Sequence, residues 1–350
     1  MIRVGIVGLG YWGPNLARNF ANVPGSQLSA LCDLSPERLA HVSAQFPNAY
    51  ATRDPEEVLS SRVIDATVIA TPTSTHYHLA RKALEHGLHT FVEKPLATSS
   101  EECEDLIGLA DDMGVVLFVG HVFLYSAPVI KLRELIATGE LGNISYISSV
   151  RLNLGPIRHD VNALWDLAPH DISIVLELMG RLPVSVNCQG LAYLSRTVHD
   201  VCSLTLHFGN NTMALIHVSW LDPNKRRLMT VVGDKKMAVY DDIEPLEKIK
   251  VYDKGVEAPG YSDSFGEFQY SYRYGDSYCP RLVQVEPLKA ECRNFIDCVK
   301  ERKRPKSDGR HGLDVVRVLQ AADSSLLNGG ARVLVEQTES MARASAGTGS

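Results

Sequence analysis

Near the amino terminus the apolar run IRVGIV leads directly into GLGYWGPN, which sets Gly8, Gly10 and Gly13 in the order G-x-G-x-x-G ahead of the amphipathic stretch NLARNFANV. No other feature constrains the fold as much. Glycines at this spacing, after a strand and before a helix, belong to a turn whose backbone must come very close to itself and to a ligand. Gly8 permits the tight turn, Gly10 lets a pyrophosphate approach the main chain, and Gly13 lets the helix pack on the strand. Free amides and the positive end of the helix dipole then favour phosphate. Asp33 closes the next predicted strand, SQLSALCD, 20 residues after Gly13 (33 − 13). A carboxylate there can accept both hydroxyls of an adenosine ribose and repels a 2′-phosphate, which favours NAD over NADP. Arg38, five residues on, is placed to stack on adenine. The plainer role for Asp33 is a cap for the helix that opens at Ser35-Pro36. Tyr11 and Trp12 fill the two tolerant positions between the second and third glycines. Their rings either project toward the cofactor and substrate or pack on neighbouring loops.

Strand-like and helical stretches continue to alternate through residue 120. VIDATVIAT is a continuous apolar run, as expected of a strand buried on both faces of a parallel sheet. STHYHLARKALEHG, LHTFVEK, SSEECEDLIGLADDMG and VVLFVG then read as helix, strand, helix, strand. That rhythm predicts a doubly wound α/β domain over residues 1–120 with right-handed crossovers. From residue 121 the texture changes. A helix around APVIKLRELIATG and a long strand, ISYISSVRLNLG, precede a helix expected to begin near Ala168. Consecutive strand-like runs follow from Pro183 to about Tyr252, with turns at Gly-Asn-Asn, Asp-Pro-Asn-Lys and Gly-Asp-Lys-Lys. Neighbouring hairpins without intervening helices predict an open, mainly antiparallel sheet, with one face on helices and one free to meet another subunit. The segment from Glu257 to Glu286 has little periodicity. Its aromatics, including Tyr261, Phe265, Phe268 and Tyr270, suggest an ordered irregular loop. Two helices close a second domain spanning 121–335, the last packing back on the first domain, and 336–350 reads as a disordered tail.

Composition narrows the partners. A formal charge of −6 over 350 residues argues against nucleic acid and anionic membranes. No apolar run approaches the roughly 20 residues of a membrane helix. The seven cysteines are scattered without C-x-x-C spacing, which predicts reduced thiols and a cytoplasmic location. His76 and His78 point apart on a helix and find no third ligand, so no metal is expected. No G-x-S-x-G elbow or Cys–His signature suggests a hydrolase. The basic clusters Lys300–Lys306 and Lys225–Arg227 read as a solvated helix end and a hairpin tip, the latter also placed to meet a diphosphate.

Chemistry concentrates in three stretches. TPTSTHYH (71–78) and VEKP (92–95) lie just past the carboxyl ends of predicted parallel strands, the edge where open α/β sheets bind ligands. Lys94, ending a buried strand, is costly unless it has a task. Beside a nicotinamide it could bond a substrate hydroxyl, with its pKa lowered by burial and cofactor charge. In WDLAPHDISI, Asp166 and His170 are four residues apart and share one helix face. A histidine can exchange the hydroxyl proton while hydride leaves the same carbon, with a carboxylate orienting it. A helix cap and a satisfied core histidine would be the ordinary alternative.

Taken together, GLGYWG, Asp33, TPTSTH, EKP and D-x-x-x-H resemble the glucose–fructose oxidoreductase/inositol dehydrogenase (Gfo/Idh/MocA) family over nearly the whole chain to about residue 335. The resemblance implies an N-terminal Rossmann domain and a C-terminal α/β domain on an open sheet. It implies Lys94 and His170 flanking the substrate carbon that faces the nicotinamide, with Asp166 as their carboxylate neighbour. It also implies that Thr71, Pro72, His76 and Glu93 line the nicotinamide end. Family members form homodimers or homotetramers through the open sheet. GYWGPNLARNF, RLNLG and WDLAPHD look like the branch that works at carbon 3 of nucleotide-activated hexoses. Arg158 would then pair with a phosphate, and Asn162 and Tyr125 would be further substrate contacts. Three rivals remain: dehydrogenation of inositol or a free sugar; a non-redox regulator of the same fold, which would have no need of both EKP and D-x-x-x-H; and transient use of NAD for glycoside hydrolysis or for internal oxidoreduction between substrates.

Overall fold

The computed structural model describes residues 1–158, 161–195, 197–257 and 271–337. The expected tail beyond residue 337, the aromatics at 261–270, and His159 and Asp160 lie outside them. The chain divides into two compact units, the first made of Met1–Ser126 with Gln284–Gln320, the second of Ala127–Val283 with the remaining C-terminal residues.

The first unit begins β1 (Ile2–Val7), α1 (Gly13–Asn22), β2 (Ser26–Cys32) and α2 (Pro36–Ser43). It continues β3 (Tyr50–Thr52), α3 (Pro55–Leu59), β4 (Ala66–Ile69), α4 (His76–Glu85), β5 (His89–Glu93), α5 (Ser100–Met113) and β6 (Leu117–Gly120). Its six strands form a parallel sheet in the order β3-β2-β1-β4-β5-β6. The expected doubly wound architecture is observed, and the buried character of β4, β5 and β6 follows from helices on both faces. Local chemistry sets the helix ends. Ser35 and Ser99 accept hydrogen bonds from the amides of Arg38 and Glu102, and Gly114 closes α5 in the left-handed conformation at φ +65°. The short β3 and α3 were not anticipated, since three and five residues carry too little periodicity to read.

In the second unit, α6 (Ala127–Ala137), β7 (Ile144–Leu154) and α7 (Ala163–Met179) precede β8 (Ser185–Leu191), β9 (Val201–Gly209), β10 (Thr212–Ser219) and β11 (Leu221–Gly233). After them come β12 (Met237–Asp241), β13 (Ile249–Glu257) and β14 (Ser271–Tyr278). The chain then supplies α8 (Pro287–Glu301) and α9 (Gly309–Leu327), and β15 (Val333–Leu334). The sheet runs β14-β13-β12-β11-β7-β10-β9-β8-β15. It is mixed rather than purely antiparallel, because β7 pairs parallel with β10.

Three expectations change here. Asp222-Pro-Asn-Lys is no turn: β11 runs through it, and the ladder to β7 skips from Leu221 to Arg226. The segment after Glu257 includes a strand, β14, antiparallel to β13. Helix α7 starts at Ala163, not near Ala168, because the Asn162 side chain caps it by accepting from the Trp165 amide, and Pro169 is carried inside. The Asn210-Asn211 hairpin tip, with φ +49° and +54°, matches its turn signal.

Aromatic packing explains why α8 belongs with the parallel sheet. Phe295 of α8 meets Phe20 of α1, Phe91 of β5 and Phe118 of β6 with centroids 6.0, 5.7 and 5.5 Å away, all near edge-to-face. All four rings are fully buried, and such pairs stabilise beyond their area alone. Phe295→Ala is therefore expected to cost about 3–5 kcal/mol in chemical denaturation. A loss well below that range would show that α8 is not integral to this core.

Candidate active site

The carboxyl edge of the parallel sheet gathers most of the residues singled out in the sequence. Gly8, at φ +98°, lies so close to the end of β4 that a Cβ would stand 2.6 Å from the Ala70 backbone and 2.8 Å from Cγ2 of Thr71. A Cβ on Gly13 would collide with the Gly8 carbonyl oxygen, whereas one on Gly10 would meet only the tip of Arg38, 4.0 Å away. The loop is thus closed at its first and third glycines and open at its second. Trp12 stands at the N-cap of α1 without a side-chain cap bond, so no capping side chain competes for the first amides of the helix. This cradle fits a diphosphate.

Asp33 sits beside it. Its carboxylate accepts from the Leu9 amide at 2.7 Å and from the Ser35 amide at 2.8 Å. Ser35 itself caps α2, so Asp33 braces the glycine loop instead of the helix. Of the two aromatics, Tyr11 is 83% exposed, while Trp12 is half-buried against the apolar core. Their rings meet edge-on at 5.3 Å.

The loops after β4 and β5 are joined by His76. Its ring is 1% exposed; Nδ1 lies 2.8 Å from the Pro95 carbonyl oxygen and Nε2 2.9 Å from that of Thr71. Burial, and then the Lys94 charge, hold its pKa below the usual value despite these two acceptors. A neutral ring has one N–H, so only one carbonyl receives a proton at a time. Thr75 ties the Thr71–Pro72 turn, donating to Oγ1 of Thr71 and to the Pro72 carbonyl, both at 2.7 Å. Lys94 follows Glu93, the last residue of β5, and the Lys94–Pro95 peptide is cis. Glu93 pairs with Gly120 across the ladder, so His121, just beyond Gly120, leaves the neighbouring strand at the same level as Lys94. The sequence reading missed His121. It is buried, with both ring nitrogens lacking hydrogen-bond partners among the described residues. Its ring stands edge-on to His311 at 5.2 Å.

Two expected contacts take other roles. Tyr125 is in the core, stacked on Phe118, with its hydroxyl bonded to Asn294 and Ser307 at 3.0 Å each. It is a packing residue, not a substrate contact. Asn162, in the second unit, spends its carbonyl on capping α7 and its amide on Asp323 at 3.3 Å.

That second unit holds its own cluster around the first turns of α7. Asp166 accepts from Arg158 at 3.1 Å and from the indole N–H of Trp220 at 3.1 Å. The guanidinium expected on a phosphate is therefore engaged by a carboxylate. Trp220, buried at the end of β10, was legible only as a bulky residue near a turn; its need for an N–H partner was the overlooked signal. His170 lies one helical turn beyond Asp166. The next residue, Asp171, is anchored in the core by Arg151 (Nε to Oδ2, 2.6 Å) and Ser149 (2.7 Å). Arg151, the first residue of the RLNLG stretch, is buried in this ion pair.

A glycine cradle with an adjacent carboxylate, on a parallel six-stranded sheet beside a lysine turn, defines a dinucleotide-binding oxidoreductase. Residues 2–121 match the model described as oxidoreductase family, NAD-binding Rossmann fold. Residues 129–239 match the Gfo/Idh/MocA C-terminal domain. The chain belongs to the Gfo/Idh/MocA family and is an NAD-binding oxidoreductase. It is 28% identical to UDP-N-acetylglucosamine 3-dehydrogenase of Acidithiobacillus ferrooxidans, covering 92% of this chain and 95% of that one. A solved structure of that enzyme superposes with TM-score 0.77 at 26% identity, covering 94% of this chain and 98% of the other. The chain is also 26% identical to scyllo-inositol 2-dehydrogenase (NAD+) of Bacillus subtilis, over 94% of this chain and 95% of that one. No helix among the described residues is long and apolar enough to cross a membrane, and they hold no cluster of metal-ligating side chains. All seven cysteines are free thiols.

Two buried carboxyls bear on stability. Burial pushes Glu93 up to about 7 from 4.5, against the opposing pull of Lys94. Glu291 of α8 is fully buried, with neither oxygen hydrogen-bonded among the described residues. It is raised well above 4.5 by burial and then by Glu93. A carboxyl with a higher pKa in the folded chain holds its proton more tightly there. Its contribution is complete below the unfolded value and is lost as pH rises through the folded one. The two carboxyls therefore lower the melting temperature at about pH 8 relative to about pH 6, in opposition to buried His76 and His121 and half-buried His89, whose lowered pKa values favour the higher pH. Glu291→Gln should raise the melting temperature at the higher pH relative to the lower. An unchanged difference between the two would contradict the assignment.

Proposed function

We propose that the protein is an NAD-dependent dehydrogenase acting on a ring hydroxyl of a cyclic sugar, specifically carbon 3 of a nucleotide-activated hexose such as a UDP- or dTDP-sugar. The observation that carries this reading is the likeness, over nearly its whole length, to a UDP-N-acetylglucosamine 3-dehydrogenase, in a chain that keeps both the EKP lysine and the Asp166/His170 helix turn. Bound at the glycine loop, NAD supplies the hydride acceptor for alcohol oxidation and NADH the donor for the reverse.

The chain's own residues handle the rest. Amides of the loop and of α1 hold the diphosphate, and Asp33, already oriented by the Leu9 amide, receives the ribose hydroxyls and disfavours a 2′-phosphate. Arg38 lies over Gly10, where it can cover the adenosine end. In oxidation the substrate hydroxyl gives its proton to Lys94 or His170 as the carbon loses hydride; the products are the keto sugar, NADH and one proton. Asp166, held from two sides by Arg158 and Trp220, keeps its charge in a fixed place near the start of α7, one turn before His170. The open sheet carries Tyr146, Met213 and Leu215 on its exposed face, which suits a homodimer or homotetramer.

The likeness to scyllo-inositol 2-dehydrogenase favours a second reading, oxidation of a free cyclitol. A screen of UDP-hexoses, dTDP-hexoses and free cyclitols, following NADH formation, separates the two. NADH produced only with nucleotide sugars supports the first reading, and NADH produced only with cyclitols replaces it with the second. With the accepted substrate, Lys94→Ala should lower kcat by about 10²–10⁴-fold while NAD affinity is retained. Full turnover in that variant would remove Lys94 from the chemistry.

A further inference from the structure

We infer that His76 is a positioning residue that sets the placement of Lys94 relative to the glycine loop. The inference rests on the reading of Lys94 as a proton-handling residue. Three loops meet the same carboxyl edge: the glycine loop after β1, the Thr71–Thr75 turn after β4, and the Lys94–Pro95 turn after β5. Strand ladders fix where each loop leaves the sheet but not where its next residues go. Gly8 is packed against Ala70 and Thr71 with no room for a side chain, so the first and second loops are in rigid contact. Between the second and third, the His76 ring nitrogens lie 2.9 Å from the Thr71 carbonyl oxygen and 2.8 Å from that of Pro95, and its single N–H bonds one of the two while the ring packs against the other.

The imidazole is thus the link in a continuous series: Gly8 against Thr71, Thr71 to His76, His76 to Pro95, and Pro95 covalently to Lys94. A buried imidazole set between two backbone carbonyls has both ring nitrogens turned to the protein's own main chain. This distinguishes His76 from a cofactor contact, the role expected of it from the sequence. Its position as first residue of α4 adds rigidity, since the ring is carried on a helix rather than on either loop it joins. Misplacement of a catalytic group by about 1 Å can cost about 10²-fold in rate, so a link of this kind matters to turnover without touching a reactant.

The test reads Lys94 directly. Lysine labelled with 13C at Cε gives a Lys94 resonance, assigned by its disappearance in Lys94→Arg, and its titration is followed in full-length protein with and without NAD. Two variants are compared, His76→Leu, which removes the ring N–H that bonds one or other carbonyl, and His76→Asn, whose shorter amide can still donate to one carbonyl. The expected result is a displaced Lys94 resonance and a shifted titration midpoint in both, larger in His76→Leu, with NAD affinity nearly unchanged. If His76→Leu does not fold, His76→Asn carries the same comparison. A Lys94 resonance and midpoint unmoved in a cooperatively folded variant would overturn the inference. So would a large loss of NAD affinity with Lys94 unmoved, which would return His76 to the cofactor site. Retained turnover in Lys94→Ala would refute the chemical role of Lys94 and leave this geometric result standing, so the two failures are distinguishable.

Discussion

The closure of the glycine loop on itself and on β4 is the contact on which the rest of the first unit's site depends. Gly13 abuts the Gly8 carbonyl and Gly8 abuts the backbone of Ala70, so α1 can start in only one place relative to β1 and β4. That start fixes where the first amides of α1 stand relative to the glycine loop. It also fixes Leu9, whose amide holds Asp33, so that this carboxylate is oriented by the same turn. Thr71, wedged against Gly8, passes the constraint on through His76 to the Lys94 turn. Glycine here is a steric requirement at two positions and an opening at the third, which is the division of labour a dinucleotide needs.

The second unit is organised by a different kind of constraint. A buried ion pair between Arg151 of β7 and Asp171 of α7, completed by Ser149, pins the helix to the sheet one residue after His170. Ion pairs this dry gain little net stability, but removing one partner leaves an uncompensated charge and costs about 3–5 kcal/mol. The pair therefore sets orientation more than it adds stability. Asp166 is locked one turn earlier by Arg158 and Trp220, so both carboxylates near the N-terminal part of α7 are oriented from outside the helix.

Much of the cofactor unit was legible because its signals are local. The triplet Gly8, Gly10 and Gly13, the apolar strands and the Ser35-Pro36 helix start each announce themselves within a short run of sequence. Family membership was legible for a related reason: separated short motifs kept their order. What was not legible depends on partners distant in sequence. Nothing local says that the Tyr125 hydroxyl is met by Asn294 and Ser307, or that Arg158 reaches Asp166. The bulge that carries β11 through Asp222-Pro-Asn-Lys is set by pairing with β7, about 70 residues earlier, and turn-forming residues gave way to that ladder. Asn162 illustrates the same conflict at one position, where a side chain suited to a sugar hydroxyl is also the best available helix cap.

Transfer of hydride from a sugar ring carbon to nicotinamide is the central claim, and isotopic labelling tests it most directly. UDP-N-acetylglucosamine carrying deuterium at carbon 3, incubated with the enzyme and NAD, is predicted to give a 3-keto product and reduced cofactor one mass unit heavier, with the label on the nicotinamide ring. Reduced cofactor that forms from this substrate without deuterium would contradict transfer from carbon 3. No cofactor reduction from any labelled hexose or cyclitol would contradict the dehydrogenase reading itself.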